Sequence, residues 1–226
     1  MIRESVPYLE NKNMYDLLID LDNTVYSEDS EIFQQIDAKM KSFISKKLNV
    51  SLDSAYKIQK KYFLENGTTL RGLMLYNNID PEPFLQYVHD INLSSIKKNE
   101  SLENHLKNYK GKKIIFTNGS KEHANRVLKK VGLERNIDAI FDIIDAGYIP
   151  KPDIATYKKV LFKYNLNPSN TVMIDDLPNN LKTAQKLGIK TALIKKNFFN
   201  RNTFDYIDII CSNLSDTIIK IKEGVI

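Results

Sequence analysis

Residues 17–24 read LLIDLDNT, an apolar run that ends in two carboxylates one residue apart. A short and continuously apolar run is typical of a strand that is buried on both faces of a parallel sheet. Alternate residues of an extended chain point the same way, so Asp20 and Asp22 are expected to share one face. Because like charges repel and burial raises the cost, the pair requires a compensating positive group, and a divalent cation is the first candidate.

The rest of the chain alternates between short apolar runs and helical patterns, chiefly after residue 105. Strands are predicted over residues 15–19, 113–117, 141–145, 171–175, 190–194 and 206–211. Helices are predicted over residues 121–131, 154–164 and 214–221, and a further helix is predicted to end at Leu187, before Gly188. Strands that alternate with helices favour an α/β fold, with a Rossmann-like parallel sheet as its core and helices on both faces.

Residues 27–100 show a different pattern, in which apolar side chains recur at helical spacing and no convincing strand is present. Ser51 is predicted to cap the second helix of this segment. We therefore expect a helical cap over residues 27–100. It is inserted between the first and second strands of an α/β catalytic core that comprises residues 1–26 and 101–226.

Polar residues follow four of the predicted strands, at the edge where open α/β sheets bind their ligands. In chain order they are Asp20 and Asp22, then Thr117 with Asn118 and Gly119, then Lys151, and finally Asp175 and Asp176. Carboxylates from the first and last groups can hold Mg²⁺ through oxygen. A metal-bound Asp20 could attack phosphorus while Asp22 transfers protons. Thr117, Lys151 and nearby backbone N–H groups could neutralise the transferring phosphoryl group.

These residues resemble the motifs of the haloacid dehalogenase superfamily of phosphohydrolases over nearly the whole chain, in the order DxDNT, hhhTNG, KPD and hhhDDxxxN. The resemblance implies a Mg²⁺-dependent hydrolysis of phosphomonoesters, with Asp20 as the nucleophile that becomes an aspartyl-phosphate and Asp22 as general acid and base. It also implies that Thr117 and Lys151 are catalytic. The other residues that it implies are the metal ligands Asp20, Asp22 (through its backbone carbonyl), Asp176 and Asp175, the phosphate-binding Asn118 and Gly119, and Asn180.

The cap carries a narrower resemblance, to the pyrimidine 5′-nucleotidase branch of this superfamily. Residues 66–73 (NGTTLRGL) carry it, together with the segments around His89 and His123, which are expected to be hydrogen-bonded structural groups. This resemblance implies pyrimidine nucleoside 5′-monophosphates such as UMP or CMP as substrates, bound in part by Thr68 and Arg71. Other functions stay open: a phosphatase of phosphoglycolate or sugar phosphates, a haloacid dehalogenase, a phosphomutase, or a catalytically silent binding protein on the same fold.

The composition is that of an ordinary globular protein, with 42% apolar and 27% charged residues in a chain of 226. The formal charge of +5 comes from lysines that are scattered along the chain. A nucleic-acid partner needs a clustered basic stripe, so no nucleic-acid polymer is expected as a partner. A mildly positive field favours a small anionic substrate instead. The expected partner is a small-molecule phosphomonoester, bound by a monomer or a homodimer.

Three features predict a cytoplasmic protein without a membrane partner. The single cysteine, Cys211, allows no disulfide within the chain, and it is expected to lie buried in a strand. No apolar run approaches 18 residues. Residues 1–13 (MIRESVPYLENKN) contain no apolar segment of the kind found in secretory signals.

Overall fold

Six parallel strands form one sheet in the computed structural model, which describes residues 14–196 and 204–226. The strands are β1 (Asp16–Ile19), β2 (Lys113–Phe116), β3 (Ala139–Phe141), β4 (Thr171–Asp175), β5 (Lys190–Ile194) and β6 (Ile209–Cys211). The helices of the described part are α1 (Ile32–Leu48), α2 (Leu52–Asn66), α3 (Thr69–Asn77), α4 (Pro81–His89), α5 (Glu100–Lys107), α6 (Lys121–Val131), α7 (Ile154–Lys163), α8 (Pro178–Lys186) and α9 (Leu214–Glu223). Residues 1–13, on which the expectation about a secretory signal rests, lie outside the described residues.

The strand order is β3-β2-β1-β4-β5-β6, and every neighbouring pair is parallel. Leu18 in β1 lies opposite Ile114 in β2 and Met173 in β4, so β1 is a central strand. The order reverses between β1 and β4, and right-handed crossovers on either side of this point place helices on both faces of the sheet. The prediction of an α/β fold with a Rossmann-like parallel core is confirmed.

The central strands are apolar because both of their faces are covered. Leu17, Leu18 and Ile19 in β1 have no exposed surface, and all residues of β4 are buried. At their carboxyl ends these strands become charged, since Asp20 follows β1 and Asp175 ends β4. The apolar run of LLIDLDNT is thus a buried central strand, as predicted.

Five helices, α1 to α5, lie between β1 and β2. The first four pack on one another, because α1 contacts α2 and α4 while α3 contacts the same two helices. Ser51 caps α2 as predicted, since its side chain accepts a hydrogen bond from the backbone N–H of Ser54. The fifth helix, which was not predicted, packs against α9. The division into a cap of residues 27–100 and a core of residues 1–26 and 101–226 stays a prediction.

Two strand boundaries differ from the prediction. The strand predicted over residues 141–145 is wrong in its position, because β3 spans Ala139–Phe141. The Asp142 carboxylate accepts hydrogen bonds from the backbone N–H groups two and three residues further on, at 3.1 and 2.8 Å, and so turns the chain directly after the strand. The last strand likewise begins at Ile209, three residues later than predicted.

Two other expectations bear on location. No helix in residues 14–196 or 204–226 combines the length and the hydropathy that a membrane-spanning segment needs. Cys211 is buried at the end of β6, as predicted. The cytoplasmic location itself stays a prediction.

Helices α2 and α3 approach each other closely at Gly72. A Cβ atom on this glycine would lie 2.3 Å from Cγ and 2.4 Å from Cβ of Tyr62 in α2. The Tyr62 hydroxyl donates a 2.8 Å hydrogen bond to Asn77 at the end of α3, so the ring cannot move away without losing that bond. Gly72 is therefore a position of the α2–α3 hairpin that admits only glycine.

Gly72→Ala is expected to lower the free energy of unfolding by about 1–3 kcal/mol, because overpacking forces the two helices apart. The loss is expected even though alanine has the higher helix propensity. Urea unfolding followed by circular dichroism measures it, with Leu75→Ala on the exposed side of the same helix as the control. A Gly72→Ala protein as stable as the wild type would contradict the close approach of α2 and α3.

Candidate active site

Three carboxylates meet beyond the carboxyl ends of β1 and β4, where the strand order reverses. Asp20 follows β1, and its backbone N–H donates to the carbonyl of Ile174 in β4 at 2.9 Å. Asp175 ends β4 and has no exposed surface, and Asp176 comes next and is half-buried. One oxygen from each of the three carboxylates lies within 4.8 Å of the others. The structure therefore brings these three predicted residues together.

The Lys151 ammonium binds two carboxylates of this cluster. Nζ donates to Asp20 Oδ1 at 2.7 Å, to Asp175 Oδ2 at 2.8 Å and to the carbonyl oxygen of Phe116 at 2.8 Å. These contacts use all three ammonium hydrogens, and the side chain is only 1% exposed. Burial disfavours the charged form, but the two carboxylates outweigh it and raise the pKa of Lys151 above its ordinary value. Lys151 is therefore a cation at neutral pH.

The Asn118 side chain holds the backbone of Lys151 in place. Its Oδ1 accepts from the Lys151 N–H at 2.8 Å, and its Nδ2 donates to the Lys151 carbonyl at 3.2 Å. The amide oxygen and one amide hydrogen are thus used within the protein, so a phosphate contact from Asn118 would use the second amide hydrogen or the backbone N–H. The phosphate-binding role of Asn118 stays a prediction, and the contact that the structure shows is a positioning one.

Asp175 and Asp176 have different surroundings. Besides Lys151, Asp175 binds a backbone N–H at 2.9 Å and the Nδ2 group of Asn180 at 2.9 and 3.0 Å. Among the described residues, Asp176 has one long side-chain hydrogen bond, from Asn23 at 3.5 Å. Asp176 is thus the more available ligand, while Asp175 orients Lys151. The metal-ligand roles of both residues stay predictions.

Lys151 compensates the acidic cluster only in part, as the raised pKa values of two of its carboxyl groups show. Burial raises the pKa of Asp20 well above its ordinary value, although Lys151 opposes the shift. Burial and the charge of Asp175 raise the pKa of Asp176 to about 7. Crowded carboxylates that offer only hard oxygen atoms are suited to a divalent cation such as Mg²⁺. The donor set therefore fits the metal that the sequence predicts.

Asp22 lines the same cavity as Asp20, but its charge has partners of its own. Its Oδ1 accepts from the Tyr26 hydroxyl at 2.6 Å and from His123 Nε2 at 2.9 Å. Burial alone would raise the pKa of Asp22, but these two partners, His123 above all, outweigh it and lower the pKa to about 2. We expected one positive group to compensate both carboxylates; instead, each is compensated separately.

His123 belongs to a buried pair of histidines. Its ring stacks on that of His89, with centroids 4.3 Å apart and planes 7° from parallel. His89 Nδ1 lies 3.1 Å from the Ser120 hydroxyl, and burial and the neighbouring His123 lower the pKa of His89 to about 3. Both histidines are hydrogen-bonded, as predicted. The contact of His123 with Asp22 was missed, because 101 positions separate the two residues and no local pattern connects them.

Thr117 and Gly119 form a tight turn directly after β2. The Gly119 N–H donates to Thr117 Oγ1 at 2.9 Å, and Thr117 is buried. A Cβ atom on Gly119 would lie 3.3 Å from the same oxygen, so a side chain here would crowd the hydroxyl. The hydroxyl hydrogen is not used in this contact, and it can donate to a ligand.

A cavity of about 250 Å³ joins these groups to helices α1 to α4. The predicted site residues that line it include Asp20, Asp22, Thr117, Asn118, Gly119, Lys151 and Asp176. Thr68 also lines it, and its hydroxyl caps α3 by accepting from the Arg71 N–H at 3.2 Å. Arg71 itself is not among the residues that line the cavity. The binding roles of Thr68 and Arg71 stay predictions, and of the two, Thr68 has the better position.

Residues 17–188 match the family model of haloacid dehalogenase-like hydrolases. The chain belongs to this family. A curated relative of this hydrolase is phosphate metabolism protein 8 of Saccharomyces cerevisiae, which is 28% identical over 188 residues. The match covers 75% of this chain but 58% of the relative, so the hydrolase spans less than two thirds of that protein's length.

Solved structures of the same fold include enzymes of two kinds. A phosphatase of this superfamily from Thermococcus onnurineus has a TM-score of 0.58 at 19% identity, over 94% of this chain and 98% of the other. The L-2-haloacid dehalogenase from Xanthobacter autotrophicus has a TM-score of 0.58 at 13% identity, over 93% of this chain and 99% of the dehalogenase. At these identities the likeness shows the fold alone, so it does not separate the two activities.

Lys151→Met is expected to lower the free energy of unfolding by about 3–5 kcal/mol in metal-free buffer, because it leaves Asp20 and Asp175 buried without their cation. Lys163→Met is the control, since the Lys163–Asp145 pair is partly exposed to solvent and its loss is expected to cost about 1 kcal/mol or less. Chemical denaturation of both variants measures the difference. Equal stabilities of the two variants would show that the Lys151 contacts do not stabilise the fold.

Proposed function

We propose that this protein is a Mg²⁺-dependent phosphomonoester hydrolase that forms an aspartyl-phosphate on Asp20. The observation that carries the proposal is the contact of Lys151 with Asp20 and Asp175, beside Asp176, in a cavity covered by helices. This cluster supplies both a carboxylate nucleophile and the oxygen ligands of a divalent cation. A dehalogenase needs the nucleophile but not the metal ligands, so the acidic cluster favours the phosphatase.

The proposed substrates are pyrimidine nucleoside 5′-monophosphates such as UMP or CMP. Two observations support a small nucleotide: the cap sequence at residues 66–73, and a cavity of about 250 Å³. Cavities that hold drug-sized ligands measure roughly 300–1,000 Å³, so this one favours a small leaving group. The reaction is expected to take place in the cytoplasm, without a membrane or nucleic-acid partner.

The metal would be held by Asp20, Asp176 and the backbone carbonyl of Asp22, with Asp175 in support. When bound, it supplies positive charge beside the phosphoryl oxygens. Lys151 supplies a second positive charge and keeps the Asp20 carboxylate oriented. The Thr117 hydroxyl donates a hydrogen bond to a phosphoryl oxygen.

In the first step an Asp20 oxygen attacks phosphorus, and the bond between phosphorus and the leaving oxygen breaks. Asp22 gives a proton to that oxygen, so the alcohol departs neutral. With a pKa of about 2, Asp22 is ionised in the free protein. The negative charge of a bound phosphomonoester disfavours a second anion and raises the pKa of Asp22, which favours the acid form that this step needs.

In the second step water attacks the phosphorus of the aspartyl-phosphate. Asp22, now ionised, accepts a proton from this water. The bond between phosphorus and the Asp20 oxygen breaks, and inorganic phosphate and the free carboxylate result. Tyr26 and His123 both bind Oδ1 of Asp22, so Oδ2 is the oxygen that is left to exchange protons with the substrate and with water.

Asp20→Asn is expected to lower kcat by several orders of magnitude without unfolding the protein, because an amide cannot form the acyl-phosphate. The measurement is phosphate release from UMP, CMP, phosphoglycolate and sugar phosphates, with Mg²⁺ and with EDTA. Asp53→Asn, on the exposed surface of α2, is the control. EDTA is expected to abolish release from every substrate.

Each of the other possible outcomes of this screen would contradict one part of the proposed function. Release from sugar phosphates but not from nucleotides would remove the nucleotidase assignment. Metal-independent release would remove Mg²⁺ from the mechanism. A folded Asp20→Asn protein with near-normal turnover would remove the aspartyl-phosphate, and no release from any compound would favour a silent binding protein.

His123 is proposed as a positioning residue for Asp22. His123→Phe keeps a ring stacked on His89 but removes the hydrogen bond to Oδ1, and kcat for UMP is expected to fall by about 10–100-fold with little change in KM. An activated ester such as p-nitrophenyl phosphate needs less help from an acid, so its phosphorylation rate is expected to fall less. His123→Gln, which retains a donor, is expected to recover part of the loss. Equal losses for both esters would mean that His123 is only structural.

A further inference from the structure

The part of the cavity formed by the cap helices is mostly apolar and rich in aromatic rings. The apolar side chains that line it include Phe33, Ile36, Met40, Phe63, Phe84 and Leu85. Several polar side chains interrupt this wall, among them Thr68, Thr69 and Gln59, and Gln59 of α2 is only 2% exposed. A buried amide in an apolar wall needs hydrogen-bond partners, so its contacts indicate what the cavity holds.

The orientation of the Gln59 amide is determined by Asp37. The Nε2 group donates to Asp37 Oδ1 at 2.8 Å, and Lys60 donates to the same oxygen at 2.9 Å. An ionised carboxylate can only accept, so the NH₂ group must face Asp37 and the Oε1 atom must face the other way. The Thr69 hydroxyl donates to the backbone carbonyl of Gln59 at 3.2 Å and ties this part of α2 to α3.

The Oε1 atom of Gln59 is buried and has no hydrogen-bond partner among the described residues. An unpaired buried acceptor is unfavourable, and a ligand in this cavity that brings a donor to Gln59 would pair it. A sugar phosphate would place several hydroxyl groups against the aromatic wall and leave most of them unpaired. A planar heterocycle instead presents apolar faces to the rings and an N–H group at its edge.

We infer that Gln59 is the specificity residue that accepts a hydrogen bond from the N–H edge of a one-ring base in the leaving group of the substrate. This inference rests on the proposed function, since the phosphate of the same molecule would lie at Asp20. Uracil offers its N3–H group and cytosine its 4-amino group, so one acceptor serves both bases. The volume of about 250 Å³ favours one ring over two.

Calorimetric binding to the Asp20→Asn protein with Mg²⁺ tests the inference without turnover. The probes are UMP, the same nucleotide methylated at N3, and ribose 5-phosphate, which has no base. UMP is expected to bind at least tenfold more tightly than the methylated nucleotide. Gln59→Met has a side chain of similar size but no amide acceptor. In this variant the ratio of the two dissociation constants, for the methylated nucleotide and for UMP, is expected to fall to about 1, and ribose 5-phosphate is expected to bind as before.

Two further variants keep the test independent of folding. Asp37→Asn allows the Gln59 amide to rotate, because an asparagine can accept from it or donate to it, and the ratio is expected to fall. Gln86→Leu, on the exposed side of α4, is the matched control and is expected to keep the ratio. Similar binding of UMP and the methylated nucleotide to the Asp20→Asn protein, or an unchanged ratio in Gln59→Met, would overturn the inference.

Failure of this inference and failure of the proposed function give different results. If the wild type releases phosphate but the ratio is unchanged in Gln59→Met, the role of Gln59 is excluded and the phosphatase activity is supported. If Gln59 determines the discrimination between bases but no ester releases phosphate, the base site is supported and the phosphatase activity is excluded. Absence of UMP binding removes the base site, whatever the wild type hydrolyses.

Discussion

The ammonium of Lys151, buried between Asp20 and Asp175, is the interaction on which the site depends. Its three hydrogen bonds reach the residue after β1, the last residue of β4 and the carbonyl of Phe116 at the end of β2. Three neighbouring strands are thereby joined at their carboxyl ends by one cation. Without it, two carboxylates would be buried at the centre of an apolar sheet, where neither could remain ionised at an acceptable cost in free energy.

The two carboxylates of LLIDLDNT differ in chemistry because they differ in partners. Asp20 is buried beside two other carboxylates, so its charge needs Lys151 and, in the proposed function, a metal. Asp22 has Tyr26 and His123 on one oxygen, and it remains ionised without either cation. One residue can therefore act as a nucleophile fixed by positive charge, while its neighbour can exchange protons through a free oxygen. Enzymes commonly assign different catalytic roles to two nearby carboxylates by giving them different surroundings, which shift their pKa values apart.

The sheet and its functional edge could be predicted because both follow from local patterns. Buried parallel strands require continuous apolar runs, and parallel connections bring all their carboxyl ends to one edge, so the amino-acid sequence alone was enough to assign Asp20, Thr117 and Asp175 to that edge. Contacts that depend on packing between distant segments could not be predicted in this way. His123 reaches Asp22 over 101 positions, and Gln59 meets Asp37 through the packing of two helices whose sequences specify only an apolar face. The boundary of β3 was missed for a local reason, since Asp142 reads as part of an apolar run although its carboxylate ends the strand.

Helix α2 connects the chemistry in the core to the recognition that we infer in the cap. At its C-terminus Gly67 has a φ of +80°, and a Cβ atom there would lie 3.0 Å from the Lys151 carbonyl oxygen, so the backbone of α2 rests on the loop that carries the lysine. Gln59 lies eight residues earlier on the same helix, which corresponds to a rise of about 12 Å. A helix that touches the lysine loop at its C-terminus and carries Gln59 near its middle would set the distance between the two ends of the substrate in the binding mode that we infer. A phosphomonoester with a shorter leaving group would reach Asp20 without reaching Gln59, so it would lose the binding energy that orients its phosphate for attack.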